Sequence, residues 1–347
     1  MIATSLSAED DLRHAHGDDP HWNESFYFNF FDADRGLGGF TRIGFSPSRG
    51  VVDMVLCVYR PSGGVLVVRR VAPFSALSER RSLVEVGPLR FECVEPLHRW
   101  RLFFAGDAFS ISDPAVVLAL TRHGLVDVAR AGLAIDLEFT ALHPVYVFPK
   151  LPQRRMSLGE SLGARRSFGD IVARARRVPA RLASAVKMRD NHHFEQAGRV
   201  RGLVAIDGER VSIDGTGMRD RSWGLRDWTV PTRWWWINTQ FGDDLAFNAF
   251  RIHLFGYDAW GGYVWNNGRL STLGDWKRHE RQDGTALLTL PAEDGAVHEV
   301  IVERLMPVPF SISEPGFDTV LDEAIARFRW NGRASLGIDE KMERVFP

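Results

Sequence analysis

Short apolar runs separated by turn residues recur along almost the whole chain, and that grammar limits the fold more than any other property. Residues 25–31 end at the turn signal Asp32-Ala-Asp-Arg-Gly36. Residues 39–45 are followed by Pro47 and Gly50, and residues 51–59 and 65–71 flank Pro61, Gly63 and Gly64. Runs of this length, cut by Gly, Pro and Ser, form antiparallel meanders. Residues 89–94, 100–104 and 133–139 continue the pattern. In the last run Leu133, Ile135, Leu137 and Phe139 alternate onto one face, as in a half-buried strand. Strand signals resume at Phe194. Asp207-Gly208 joins residues 199–206 to 210–213 as a hairpin. Further runs at 234–241, 245–255, 257–265, 269–273, 285–290, 297–305 and 324–330 complete a second meander. No fixed-period repeat relates the two halves.

Between the meanders the pattern changes. Residues 154–189 are rich in Arg and Ala, with Ile171, Ala175, Val178 and Leu182 at helical spacing and a break near Pro179. A length of 347 residues suits two domains. The expectation is a mostly β protein made of two antiparallel β-barrel or half-barrel domains in tandem. They cover residues 1–150 and 191–347, joined by a short helical basic connector at 151–190. The basic face of 160–189 has two readings: contact with a membrane surface or acidic partner, or a solvated helix face packed at the junction.

Composition narrows the function classes. The formal net charge is −1, so no global field draws nucleic acid or acidic substrates. The two cysteines, Cys57 and Cys93, lie in strand-like runs and do not make a disulfide framework. The first 21 residues lack the apolar core of a secretory signal, and no run approaches the ~20 apolar residues of a membrane span. A soluble cytoplasmic protein is the expectation. Eleven tryptophans in a β-rich chain point either to an apolar ligand cavity or to a well-filled barrel interior.

Serine-nucleophile elbows, phosphate-binding Gly loops, His-Glu-x-x-His and Cys-x-x-Cys are all absent, and no cofactor is implied. The densest polar cluster is residues 191–196. On a strand His193 and Glu195 share one face, while His192, Phe194 and Gln196 take the other. The His193–Glu195 pair is open to three readings: a coupled acid–base pair, two ligands of a metal, or a structural hydrogen bond. Asp220 is the second focus, with Trp223 and Trp228 nearby. A carboxyl beside indoles in an apolar wall keeps its proton near neutral pH and can protonate an alkene or epoxide. The competing reading is an ion pair with Arg219, Arg221 or Arg226, which lowers its pKa. Trp234, Trp236, Asn238 and Gln240 share one strand face and resemble a ligand wall with polar anchors, which Asn248 extends. Glu24, ahead of the first strand, and Arg226 join this candidate substrate-binding set.

The run Gly217-x-x-Asp220-x-Ser222-Trp223-Gly224-x-Arg226-Asp227-Trp228 follows a hairpin with an Asp-Gly turn. It resembles the double-lipocalin superfamily of carotenoid 1,2-hydratase and the AttH-like proteins. Kievitone hydratase and tocopherol cyclase look like more distant relatives. The resemblance implies two lipocalin-like barrels or half-barrels and cofactor-free protonation of a C=C bond. Hydration, cyclisation or isomerisation of an apolar terpenoid-like or polyketide-like substrate would follow. It maps Asp220 onto the family's essential acid, with His193 and Glu195 relaying the proton or positioning water and Trp223, Trp234 and Trp236 lining the pocket. Met218 stands where the hydratases usually carry an aromatic residue. The alternatives are a non-catalytic carrier of an apolar small molecule and a metal-dependent enzyme using His193, Glu195 and another histidine, with His253 and His279 available.

Overall fold

A computed structural model describes residues 6–124, 127–148, 153–156, 191–226, 230–254, 257–314 and 317–345. In chain order the strands are β1 (Trp22–Asp32), β2 (Leu37–Ser46), β3 (Val51–Tyr59), β4 (Val65–Pro73), β5 (Leu83–Val86), β6 (Leu89–Glu95), β7 (Arg99–Ile111) and β8 (Arg130–Ala141). They continue with β9 (Tyr146–Val147), β10 (Gln153–Met156), β11 (His192–Ile206), β12 (Glu209–Leu225), β13 (Pro231–Phe241), β14 (Leu245–Leu254) and β15 (Tyr257–Asn266). The last are β16 (Arg269–Thr272), β17 (Lys277–Glu280), β18 (Ala286–Pro291), β19 (Val297–Met306), β20 (Pro309–Glu314), β21 (Phe317–Trp330) and β22 (Arg333–Val345). Among the described residues one α-helix, α1 (Val116–His123), lies between β7 and β8.

The strands form two large antiparallel sheets. In the first, the order β4-β3-β2-β1-β12-β11-β8-β7 closes on itself through β4–β7 pairs such as Val65 with Ile111. Phe26, Phe28, Phe30, Leu56, Trp100, Leu137 and Phe139 fill its interior. In the second sheet the order runs β10-β15-β14-β13-β22-β21-β19-β18-β17, and a Leu273–Ala292 bridge links its far sides. Its core is built on Ile237, Phe247, Trp276, Leu288, Phe328 and Trp330. The fold is therefore the mostly β, tandem-barrel architecture expected. Three Asx-Gly turns, at Asp207-Gly208, Asn267-Gly268 and Asn331-Gly332, have positive φ at both positions. That geometry matches the twist of a two-residue hairpin.

The assignment of residues to the two sheets departs from the sequence division. β11 and β12, placed in the second domain by sequence, complete the first barrel: β12 pairs with β1, and β11 with β8. Without them β1 and β8 would be open edges, exposing unpaired backbone groups. Conversely Gln153–Met156, assigned to the helical connector, is strand β10 on the edge of the second sheet beside β15. The remainder of that connector, with its proposed basic face, lies outside the described residues. Among the described residues no helix is long and apolar enough to cross a membrane.

The barrels pack through their outer faces. Tyr27, Phe40 and Tyr59 of the first meet Trp234, Trp236, Phe310 and Met342 of the second. β1 is accordingly buried on both faces along nearly its whole length. Close packing also explains Gly217: a Cβ there would lie 2.2 Å from the Asn29 carbonyl oxygen. The N-terminal segment closes one end of the first barrel. Asp11, fully buried, pairs with Arg219 at 2.6 Å and accepts from the Trp100 indole at 3.0 Å. Removing one partner of such a pair leaves a buried charge uncompensated. Asp11→Ala is expected to cost about 3–5 kcal/mol, read as a lower urea midpoint. An unchanged midpoint would mean Arg219 is not held there.

Candidate active site between the two sheets

Strand alternation sorts the residues around Asp220. Tyr27, Asp220 and Glu195 are register partners across β1, β12 and β11, and Arg42 on β2 continues the row beyond Tyr27. Directly opposed residues share a face, and this row faces the second sheet. Ser25, Ser222 and His193 form the next row on the same face. Arg219, Arg221 and Trp223 alternate onto the other face, toward the first barrel's interior. Arg219 is held by Asp11 and Gln196, and Arg221 by Glu24 and the Leu12 carbonyl. Neither arginine is Asp220's partner. Arg226 does contribute attraction to Asp220, and its Nε donates to the Asn191 side chain at 3.2 Å.

At the centre lies His193. Its Nε2 is 2.7 Å from Asp220 Oδ2 and 3.0 Å from Glu195 Oε1. Its ring stacks on Phe148 at 4.3 Å with planes 6° apart. Glu195 is fully buried, and its Oε1 also accepts from the Trp236 indole at 3.0 Å. Side chains of His193 and Asp220 keep 16% and 20% exposure, so the cluster is reached from solvent. Burial alone would push the imidazole down, but the two carboxylates outweigh it and raise His193 to about 9. Desolvation raises Glu195 to about 7 against the pull of His193. For Asp220 desolvation also works upward, yet His193, with Arg226 and Arg42, leaves it below the ordinary carboxylate range. These surroundings favour an ionised Asp220 with the proton on His193, the ion-pair reading with His193 in place of an arginine.

The second sheet supplies the opposite wall. Trp236 meets Tyr27 edge-on at 5.0 Å, and Trp234 donates its indole N–H to Glu340. Asn238 and Asn248 lie one row further along the same face. Asn238 accepts from Asn29 at 3.1 Å, and Asn248 approaches Met218 Sδ at 3.5 Å. Gln240 is a row beyond and donates to the Gly242 carbonyl. Two expected lining residues are elsewhere. Trp223 is sandwiched between His14 and His192 on the other face of β12, with centroids at 4.4 and 4.9 Å. Glu24, its register partner, is buried against Arg221 and His14. Alternation moves both away from Asp220. Trp228 lies outside the described residues. Sequence reading did not find Tyr27, Arg42 or Glu323, although the pattern Ser25, Tyr27, Asn29 against Phe26, Phe28, Phe30 carried the signal for Tyr27.

One imidazole and two carboxylates, with donor atoms within 4.8 Å of one another, make a set that a divalent cation can use. In the arrangement seen, Nε2 faces both carboxylates as a hydrogen-bond donor, and a proton serves the same position. The electrostatics fix a sign. His193 moves from its ordinary 6.5 to about 9, and Glu195 from 4.5 to about 7, so the folded state binds more protons than the unfolded chain. The stability His193 contributes is complete below pH 6.5 and is lost as pH rises through about 9. Denaturation midpoints should therefore fall across that window, by roughly 3 kcal/mol for His193. His193→Gln should flatten the fall. An identical slope in that variant would contradict the ion pair.

The sequence matches a family model described as a domain of unknown function (DUF7064), and no curated protein matches it. Among solved structures the chain is similar to a protein designated AttH (NE1406) from Nitrosomonas europaea, at 15% identity and TM-score 0.62, with 99% of each chain covered. Kievitone hydratase from Nectria haematococca is similar at 9% identity and TM-score 0.54, over 99% of this chain and 94% of its own. CghA, solved with Sch210972, is similar at 11% identity and TM-score 0.51, over 93% of this chain and 87% of its own. These likenesses establish a shared fold. With the family match running from residue 7 to residue 344, the chain belongs to the DUF7064 family.

Proposed function

We propose that the chain is an acid–base enzyme of the hydratase or cyclase type, acting on an apolar small molecule held between the two barrels. The observation that carries this reading is the His193 imidazole fixed between Asp220 and Glu195, with Glu195 Oε1 also accepting from the Trp236 indole. A protonated group beside indole faces suits an alkene substrate, because the rings also stabilise developing positive charge. Phe250 and Ile252 are partly buried on the Trp234–Trp236 face, extending an apolar wall. Kievitone hydratase and CghA share the fold, which supports a hydratase or cyclase over other chemistries. A carrier of the kind that holds its ligand inside a barrel finds less support: the interior of the first barrel is packed with Phe26, Phe28, Trp100 and Phe139.

In this reading Asp220 is an anionic positioning group rather than the acid. It holds His193 protonated and oriented, and Glu195 takes the second hydrogen bond. Terpenoid-like and polyketide-like alkenes are the substrate class to test. In D2O, turnover through protonation places deuterium on carbon, which mass spectrometry detects for any of the three outcomes. Asp220→Asn should slow incorporation about 10²–10⁴-fold while leaving the fold intact. In the same variant the His193 pKa, followed by NMR, should fall from about 9 toward 6.5. Deuterium incorporation at the wild-type rate in Asp220→Asn would overturn the mechanism.

A further inference from the structure

The second sheet brings two more carboxyls into the layer between the barrels, and the roles given above leave them without a task. Glu323 on β21 and Glu340 on β22 are register partners, 2% and 8% exposed. The groups that hydrogen-bond their carboxyls are neutral: the Tyr27 hydroxyl on Glu323 and the Trp234 indole on Glu340. Two buried carboxylates side by side cannot both ionise cheaply, and sharing a proton relieves the repulsion. A separate observation points into the same space. Glu195 Oε2 is buried and has no hydrogen-bond partner among the described residues. Its other oxygen sits on the Trp236 indole, and Trp236 is the register partner of Glu340. An unpartnered acceptor of this kind calls for an O–H donor from a ligand.

We propose that Glu323 and Glu340 share one proton at neutral pH and form a second proton-holding site between the barrels, across from His193 and Asp220, that takes up the proton lost by the attacking water. The proposal rests on the acid–base reading above. In the step, the His193 Nε2–H bond breaks and its electron pair stays on the imidazole. The proton bonds to an alkene carbon through the π pair. Water, hydrogen-bonded to Glu195 Oε2, adds to the cation and gives a proton to the ionised member of the carboxyl pair, and the pair's extra proton restores His193. The sum is addition of water, with no oxidant or reductant.

The surroundings favour the protonated form. Burial raises Glu340 to about 8, and Asp220 and Glu195 push the same way. Burial likewise raises Glu323 well above the carboxylate range, with Glu340 and Asp322 adding to it. The Trp234 and Tyr27 hydrogen bonds and the Arg42 charge oppose these shifts without cancelling them. Tyr59 donates only to the Glu323 backbone carbonyl, at 2.8 Å.

Infrared spectroscopy of the full chain tests the pair directly. Folded wild-type protein at neutral pH should show the C=O stretch of a protonated carboxyl. That band should move promptly to lower frequency in D2O and vanish as pH rises through about 8. The double variant Glu323→Gln with Glu340→Gln should lose the component that titrates through about 8, while Glu195→Gln keeps it. Should the double variant fail to fold, the wild-type titration still decides. No protonated band at neutral pH, or a band unchanged in a folded double variant, overturns the proposal. A band that resists D2O for hours marks a sealed structural pair and overturns the proton-accepting role. The spectrum is independent of turnover. A missing band with Asp220-dependent deuterium incorporation rejects the pair alone, and a band without incorporation from any alkene rejects the acid–base reading.

Discussion

The β11–β12 hairpin closes the first barrel, and the rest of the site depends on that closure. Inserting the hairpin between β1 and β8 satisfies two strand edges at once. It also fixes parity over β12. Odd residues Arg219, Arg221 and Trp223 turn into the barrel, and Asp220 and Ser222 turn toward the other sheet. A one-residue slip would exchange the two sets. The slip is resisted from both sides. Inside, Arg219 and Arg221 are locked to Asp11 and Glu24. Outside, Glu195 is locked to Trp236.

The space between the barrels is unusual because it is buried yet strongly polar. Glu195, Glu323 and Asn238 are almost inaccessible, and rings of Tyr27, Trp234 and Trp236 separate them. In such a setting a proton is the cheapest counter-charge, since a carboxyl that keeps its proton avoids the desolvation cost of the anion. The His193–Asp220 ion pair and the proton proposed for Glu323 and Glu340 are two answers to the same difficulty. One pairs opposite charges, and the other removes a charge.

Much of the fold was legible in the sequence because turn chemistry is local. Asp207-Gly208 and Asn331-Gly332 announce hairpins whatever surrounds them. Alternation likewise put His193 with Glu195, and Trp234 with Trp236, on common faces. Sheet membership was not legible, because it depends on which edges remain open after distant strands have paired. The same limit governs the site. Asp220's charge follows from His193, which lies 27 positions away, and no local pattern reports that contact. Trp223 was misassigned for a simpler reason: nearness to Asp220 in sequence was given more weight than parity on the strand. Glu24 was read as lying ahead of the first strand, whereas it sits within β1 on the Trp223 face. Glu323 and Tyr27 meet across 296 positions, a pairing that only the packing of two barrels creates.

The path of the chain at β10 has a further consequence. After β8 and β9 the polypeptide leaves the first barrel, adds β10 to the edge of the second, and returns to complete the first with β11 and β12. Each barrel therefore contains chain from both sides of the other's boundary. Cutting the polypeptide between β8 and β12 leaves the first ring unclosed with exposed strand edges, prone to association, and cutting between β12 and β13 strips β10 from the edge of β15. The two barrels cannot be excised as modules or exchanged with relatives one at a time. They form one cooperative unit of high contact order, slow to assemble, and a change in either barrel is inherited by both.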